Sequence, residues 1–431
     1  MRQEQGSTAG VDGLDVAIIG AGIGGLTLAL MLHEAGIACS VYEAAPQIRP
    51  LGLGINILPH ASKELCRLGL EPDLARVGVQ TKEAVFFNRF GQRIYTEPLG
   101  RAAGYPWPQF SIHRGDLQQV LLRAVEERVG ADRVMLGHAC VGVDQDDSAA
   151  IVRFADAAAG TPLPPRRSRV AIACDGLHSA VRRQLHPEEG APLYSGFNMW
   201  RGVTVWPPIL SGASMIRAGW LTHGKMVIYP VRDNVDGLGR QLVNWLVEME
   251  TPRHQTRDWN RAGVLDDFFH AIEAWRFDWL DVPAFVKAAD AIFEFPMVDQ
   301  DPLSWWTRGR VTLLGDAAHP MVPRGANGAG QAILDARALT THLAAGGDPV
   351  SALQAYEAER LPTTSEVVRM NRTNPPDAIM REVFLRTGDT PFDRIEDVIS
   401  REEIVALLDR YKRVAGYDLA SVGAKPGAGT P

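Results

Sequence analysis

Cysteine is scarce in this chain of 431 residues, and its four (Cys39, Cys66, Cys140, Cys174) are scattered, with no C-x-x-C pair. That spacing excludes a zinc ribbon and a disulfide framework. Three of the four lie on apolar or helical stretches and read as small buried hydrophobes, so a reducing cytoplasm is the expected compartment. Long hydrophobic runs are missing too. The most apolar stretch, Val16 to Leu32, falls short of the roughly 20 residues a bilayer span needs, is interrupted by glycines, and is closed by Asp15 and His33. No basic segment leading into a longer apolar run and a small-residue cleavage pattern opens the chain, so neither secretion nor a membrane partner is expected. Concentrated positive charge is absent: the net charge is −7, and the short basic run Pro164–Arg169 reads as a solvated loop before a strand. Nucleic acid is therefore not an expected partner. Internal repeats are absent as well. What remains is an ordinary globular balance, 46% apolar and 22% charged, in a chain long enough for two or three domains.

The chain does have glycine at telling positions. Val16-Ala-Ile-Ile reads as a buried strand, Gly20, Gly22 and Gly25 follow at G-x-G-x-x-G spacing, a helical stretch follows them, and Ser40-Val-Tyr leads to Glu43. The first glycine suits a tight turn, the second the approach of backbone to a pyrophosphate, the third close helix–strand packing. The helix N-terminus supplies free N–H groups and the positive dipole end, and Glu43 stands where a carboxylate accepts from a ribose diol. Two further buried strands end in the same chemistry, at Asp175-Gly176 and at Gly315-Asp316. In an open parallel sheet, ligands bind at the carboxyl ends of strands. The economical reading is one large cofactor touched by several strand ends, and FAD is long enough. No second fingerprint is present, so NADH or NADPH, where one is used, is expected to bind transiently as a co-substrate and not in a Rossmann domain of its own.

The expected fold class is α/β: a Rossmann-like FAD-binding domain with an inserted, mainly antiparallel substrate domain and C-terminal helices. Helices are predicted over Ala61–Leu70, Asp116–Val129, Gly330–Leu343 and Pro349–Met370, with helical periodicity again in Arg394–Lys412. Seven of the ten tryptophans lie between 200 and 279. There Met199–Trp206, Lys225–Tyr229 and Gln241–Met249 alternate like strands of an antiparallel sheet roofing an apolar pocket. The boundaries read as a disordered lead at 1–13; a discontinuous FAD domain at 14–80, 105–194 and 296–375; a substrate domain at 81–104 and 195–295; a helical segment at 376–418; and a disordered tail at 419–431.

Taken together, Gly20–Gly25 with Glu43, Cys174-Asp-Gly-Leu-His-Ser-Ala-Val-Arg182, and Gly315-Asp-Ala-Ala-His319 resemble the three ordered fingerprints of the class A flavoprotein aromatic hydroxylases. Ile48–Asn56, Tyr194–Val203, Pro296–Pro302 and Gly325–Asp335 resemble the family's phenazine-modifying members, and the segment after Asn374 matches less well. The resemblance implies that Glu43 binds the adenosine ribose, Asp316 the ribityl hydroxyls, and Arg114 the ribityl–phosphate part, a pairing apt for a guanidinium fork. It gives Asp175 a part in organising FAD and the nicotinamide approach; Asp175 also suits a turn that caps the helix starting near Ser179. The segment His319–Gly328 would lie along the flavin ring. Pro323, Gly325 and Asn327 would form that wall, with Gly315, Gly328 and Ala329 in the cofactor set, and Gly52 and Gly54 opposite. Arg182 and His319 read as structural.

By the same resemblance the chemistry is NAD(P)H-driven monooxygenation of a small aromatic or N-heteroaromatic compound, through a flavin C4a-hydroperoxide, with or without loss of a carboxylate. The partners are that substrate and O2, and the protein is a monomer or homodimer. A flavin reductase or oxidase without oxygen transfer, and a flavin-bearing binding protein without turnover, are the alternatives. His60 and His223 are candidate bases for activating a phenolic substrate. Trp200, Arg201, Tyr229 and Asn244 are candidate substrate contacts, with only alternate strand residues able to face the cavity.

Overall fold

A computed structural model of the chain describes residues 15–49, 52–251, 261–373 and 375–423. The lead expected at 1–13 and residues 424–431 of the expected tail lie outside these. The first glycine segment builds the centre of a five-stranded parallel sheet, in the order Val311–Leu313, Val170–Ala173, Asp15–Ile19, Ala38–Tyr42, Val134–Met135. Its inner strands are apolar on both faces because both are covered, by helices and by a small antiparallel sheet of His138–Gln145, Ala150–Asp156 and Pro162–Ser168, whose Val143, Val152 and Phe154 join the same core and whose Phe154 stacks on Tyr42 at 4.6 Å. Ile23–Glu34 and Gly328–Ala344 pack on it so closely that a Cβ on Gly24 would stand 2.9 Å from Leu314 and 3.3 Å from Ala332.

The second layer is an eight-stranded sheet. Its order is Arg261–Ala262, Ile292–Asp299, Leu193–Trp206, Gln241–Glu250, Lys225–Arg232, Ser214–Gly219, Glu83–Phe87, Arg93–Pro98. All its pairings are antiparallel except that of Ser214–Gly219 with Glu83–Phe87. The strand Ile292–Asp299 runs through the boundary expected at 295/296, because Leu193 and Tyr194 pair with Asp299 and Val298. A smaller sheet, Gly54–Ile57, Gln109–His113 and Gly78–Thr81, lies between the two layers in the chain path.

The tryptophan expectation is corrected by the register. Trp200 and Trp245 point away from the parallel-sheet layer, into a core with Phe268, Trp275 and Phe285, and Trp200 stacks on Phe268 at 5.4 Å. Trp200 is therefore core and not a substrate contact. In the C-terminal region Arg401–Ala415 forms a helix with a Ser400–Glu403 capping box and a left-handed Gly416 stop. Leu419–Gly423, expected as disordered, is a short helix whose Val422 is buried.

Candidate functional site

A cavity of about 670 Å3 lies between the two sheets, running from Gly20, Glu43 and Asp175 at the parallel sheet to Lys225 and Glu248 on the large one. Its volume is in the range of small-molecule and cofactor sites. Of the residues singled out from sequence, Gly20, Gly22, Glu43, Gly54, Arg114, Asp175, Arg201, Tyr229, Gly315, Asp316, Pro323, Gly325, Asn327, Gly328 and Ala329 line it.

At the parallel-sheet end the three glycines differ in what they permit. Gly20 has φ +105° and a Cβ there would stand 2.5 Å from the Cys174 carbonyl oxygen. A Cβ on Gly25 would overlap the Gly20 carbonyl oxygen. Gly22 has nothing within 4 Å of its Cβ position and so opens onto the cavity. Gly25 does not line the cavity; it lets the helix close on the strand. Glu43 receives the Ala21 N–H at 2.8 Å on one oxygen and the Ala45 N–H at 2.8 Å on the other. Asp316, in the turn Gly315–Ala317, is exposed within an otherwise buried run. Asp175 accepts the Ala180 N–H at 2.9 Å through Oδ2, while its Oδ1 is buried without a hydrogen-bond partner among the described residues. Burial pushes the Asp175 carboxyl above the usual range, against the hydrogen bonds from Ser179 and the backbone. A glycine cradle at a helix N-terminus, an exposed carboxylate and an orphaned buried acceptor fit a dinucleotide with hydroxyl donors.

At the large-sheet end, strand alternation decides which side chains face inward. Met199 and Arg201, Leu246 and Glu248, Lys225, Val227 and Tyr229, and Met215 and Arg217 share that face, and the register places them opposite one another. Asn244 shares the face but does not line the cavity. Instead its Oδ1 receives the Gly54 N–H at 2.8 Å, while Arg201 Nη2 and Tyr229 Oη donate to the Gly54 carbonyl oxygen at 2.6 and 2.8 Å. The expected substrate contacts Tyr229 and Asn244 thus hold the strand Gly54–Ile57 against the sheet.

Sequence reasoning missed the charges beside them. Lys225 Nζ bridges Glu248 and Asp377, each at 2.6 Å; Arg217 Nε meets Asp377 at 2.9 Å; Arg324 Nε meets Glu248 at 2.9 Å. Burial alone would raise both carboxyls, but the flanking cations reverse this and hold Glu248 and Asp377 below their usual ranges. The available signal was charge at inward positions of otherwise apolar strands: Arg201, Arg217, Lys225 and Glu248 each stand two residues from an apolar cavity neighbour.

The candidate bases are corrected. His60 is not in the cavity wall; it is buried against Gly330 and stacked on Tyr417 at 5.5 Å, with neither ring nitrogen hydrogen-bonded. Burial, aided by Arg360, pushes its pKa down to about 3. His223 lies in a surface turn, 3.4 Å from Asp389, outside the cavity. His319 pairs with buried Asp335 at 2.6 Å, and Arg182 with Glu189 and the carbonyl oxygens of Ala317 and Ala318. Both are structural.

A two-layer α/β fold with one extended cavity, nucleotide-binding strand ends on one side and a pocket sheet on the other, defines an FAD-dependent flavoprotein. The sequence profile described as FAD binding domain matches residues 13–236 and 283–371. The chain belongs to that family and, within it, to the class A flavoprotein hydroxylases, and FAD is its cofactor. It is 44% identical over 362 residues to the phenazine 1,6-dicarboxylic acid hydroxylase of Lysobacter antibioticus, covering 83% of this chain and 89% of that protein. It is 32% identical over 417 residues to a 3-amino-4-hydroxybenzoate 2-monooxygenase of Streptomyces platensis, covering 95% and 98%. The fold matches that of Klebsiella pneumoniae HpxO, solved with FAD and uric acid, at a TM-score of 0.72 and 23% identity over 96% of this chain and 97% of that one. No helix among the described residues is long and apolar enough to cross a membrane.

Proposed function

We propose that this FAD-dependent aromatic monooxygenase hydroxylates a small aromatic carboxylate, with O2 as oxidant and NADH or NADPH as reductant. The balance is one ring C–H converted to C–OH, one nicotinamide oxidised and one water released. If the attacked carbon carries the carboxylate, CO2 leaves in place of the ring proton. Bound FAD supplies the electron transfer and O2 activation, and the protein supplies position, dryness and charge.

The observation that carries the substrate class is the charge balance at the large-sheet end. Among the described residues, four cations, Arg201, Arg217, Lys225 and Arg324, face two carboxylates there, Glu248 and Asp377. An anion entering a low-dielectric site with surplus positive charge is held; a neutral analogue leaves that charge uncompensated. Met199, Met215, Val227, Leu246 and Met297 supply the apolar slot for a planar ring. The relatives point the same way, since one is named for a phenazine dicarboxylate and another for an aminohydroxybenzoate.

The test is a panel of hydroxybenzoates, N-heteroaromatic carboxylates and phenazine carboxylates, each beside its primary amide, scored for stimulated NAD(P)H oxidation and product mass. The reading expects the acid to bind at least tenfold more tightly than the amide. Equal binding of acid and amide across the panel would overturn it. Product mass separates hydroxylation from hydroxylation with loss of CO2.

A further inference from the structure

The wall segment Pro323–Gly328 is backed by a side chain from far along the chain. Tyr411, on the helix Arg401–Ala415, is 2% exposed and packs with Val367, Met370 and Ala415. A Cβ on Gly325 would overlap its hydroxyl oxygen, so the wall and the tyrosine are in direct contact. Burial keeps that hydroxyl protonated by raising its pKa far above the ordinary phenol value.

The directions of the hydrogen bonds in this cluster follow from two fixed acceptors, the carbonyl oxygens of Val322 and Gly325. The Val322 carbonyl oxygen can only accept, and Asn371 Nδ2 donates to it at 3.2 Å. Asn371 therefore presents Oδ1 to Tyr411, and the Tyr411 O–H donates to it at 2.6 Å. The Arg324 carbonyl oxygen, 3.5 Å away, is too far to compete for that single proton. Having given its proton, the tyrosine oxygen accepts, and Asn327 Nδ2 donates to it at 2.8 Å and to the Gly325 carbonyl oxygen at 3.2 Å. Both amide protons of Asn327 are now spent. Its Oδ1 is buried, has no partner among the described residues, and belongs to a residue of the cavity wall.

A buried acceptor left unpaired costs about 1–3 kcal/mol, and native proteins rarely leave one. The oxidised isoalloxazine ring carries one N–H donor, at N3 on its pyrimidine side, and gains others at N5 and N1 on full reduction. We propose that Asn327 Oδ1 accepts a hydrogen bond from a flavin ring N–H, and that Tyr411, anchored by Asn371, is the positioning residue that sets the direction of the Asn327 amide. Neither Tyr411 nor Asn371 lines the cavity, and both act through Asn327. This inference rests on FAD as the cofactor and not on the substrate class proposed above, so failure of one leaves the other standing.

The experiment is a double-mutant cycle read as equilibrium FAD dissociation from the apoprotein, followed by quenching of flavin fluorescence. Tyr411→Phe keeps the ring and its packing and removes only the hydroxyl. In the wild-type background it should loosen FAD about tenfold, the fold-change for the loss of one buried hydrogen bond. In an Asn327→Leu background the same substitution should leave FAD affinity unchanged within about twofold, because the group it acts through is gone. Asn371→Ala frees the tyrosine proton and also takes the donor from the Val322 carbonyl oxygen; compared with and without Asn327→Leu, so that the second loss cancels, it should act in the same direction as Tyr411→Phe and is the second arm should Tyr411→Phe misfold. Visible spectra of the holoproteins report whether the ring environment moves with affinity. An undiminished affinity in Tyr411→Phe, or an equal loss with and without Asn327, would overturn the proposal; the latter outcome would make Tyr411 merely structural.

Discussion

Asn244, in the middle of the large sheet, accepts the backbone N–H of Gly54 at 2.8 Å, joining two residues 190 positions apart. The same glycine's carbonyl oxygen is held by Arg201 and Tyr229. A Cβ at Gly54 would stand 2.6 Å from Tyr229, 2.7 Å from Asn244 and 2.7 Å from Val231. Gly54→Ala should therefore cost about 1–3 kcal/mol by overpacking, and should loosen FAD because the strand beside Arg114 is pushed toward the cavity. Asn244→Ala should lower thermal stability for a different reason, leaving the Gly54 N–H buried without its acceptor. Thermal melts of the apoproteins with FAD titrations check both.

The fingerprint glycines make a contrasting pair. Gly22 has ordinary extended backbone at φ −73° and empty space at its Cβ position, so Gly22→Ala should change apoprotein stability by less than about 0.5 kcal/mol. Its methyl group would stand where the pyrophosphate approaches, and FAD affinity should fall more than tenfold. Gly20→Ala should instead destabilise the apoprotein, because φ is +105° and the Cys174 carbonyl oxygen is 2.5 Å from the new carbon. Stability and affinity measured side by side separate the two.

How much of this was legible in the sequence follows a physical line. The strand–glycine–helix–acid run is local, and the chemistry of each residue is fixed within a few positions of its neighbours; Glu43, Asp175 and Asp316 all face the cavity. The pocket sheet was legible as strands but not as faces. Alternation gives two faces, and only the cross-strand register, which pairs Arg201 with Leu246 and Lys225 with Glu248, shows which one is inward. His60 misled because a histidine near a helix start looks the same in sequence whether it is wet or buried. Asp377 and Tyr411 were out of reach, since their roles arise from C-terminal packing against elements more than 80 residues earlier in the chain.

The buried charges make a prediction about acid. Glu248 and Asp377 have folded pKa values below their ordinary values of 4.5 and 3.8. Their pairing therefore contributes fully above those values and is lost as pH falls through the lower folded ones. Asp377→Asn at pH 7 leaves Lys225 and Arg217 buried with one carboxylate fewer. Breaking such a network costs about 3–5 kcal/mol, seen as a large fall in melting temperature.

His60 tests the correction to the base assignment. With a folded pKa of about 3 against an ordinary 6.5, it takes up a proton on unfolding throughout that window, so stability rises with pH from about 3 to 6.5. His60→Leu should remove one proton's worth of that slope, about 1.4 kcal/mol per pH unit, and should leave the pH profile of turnover unchanged. Urea midpoints between pH 4 and 7 show the first effect; a shifted turnover profile would return His60 to the catalytic machinery.

Isotopic labelling of the oxygen tests the central claim most directly. Incubation of the holoprotein with NADH or NADPH, a stimulating aromatic carboxylate and 18O-labelled dioxygen should give a product carrying one labelled oxygen atom on the ring. Nicotinamide oxidation that yields only hydrogen peroxide, with every aromatic in the panel recovered unlabelled and unchanged, would contradict a monooxygenase and leave a flavin oxidase or reductase on this scaffold.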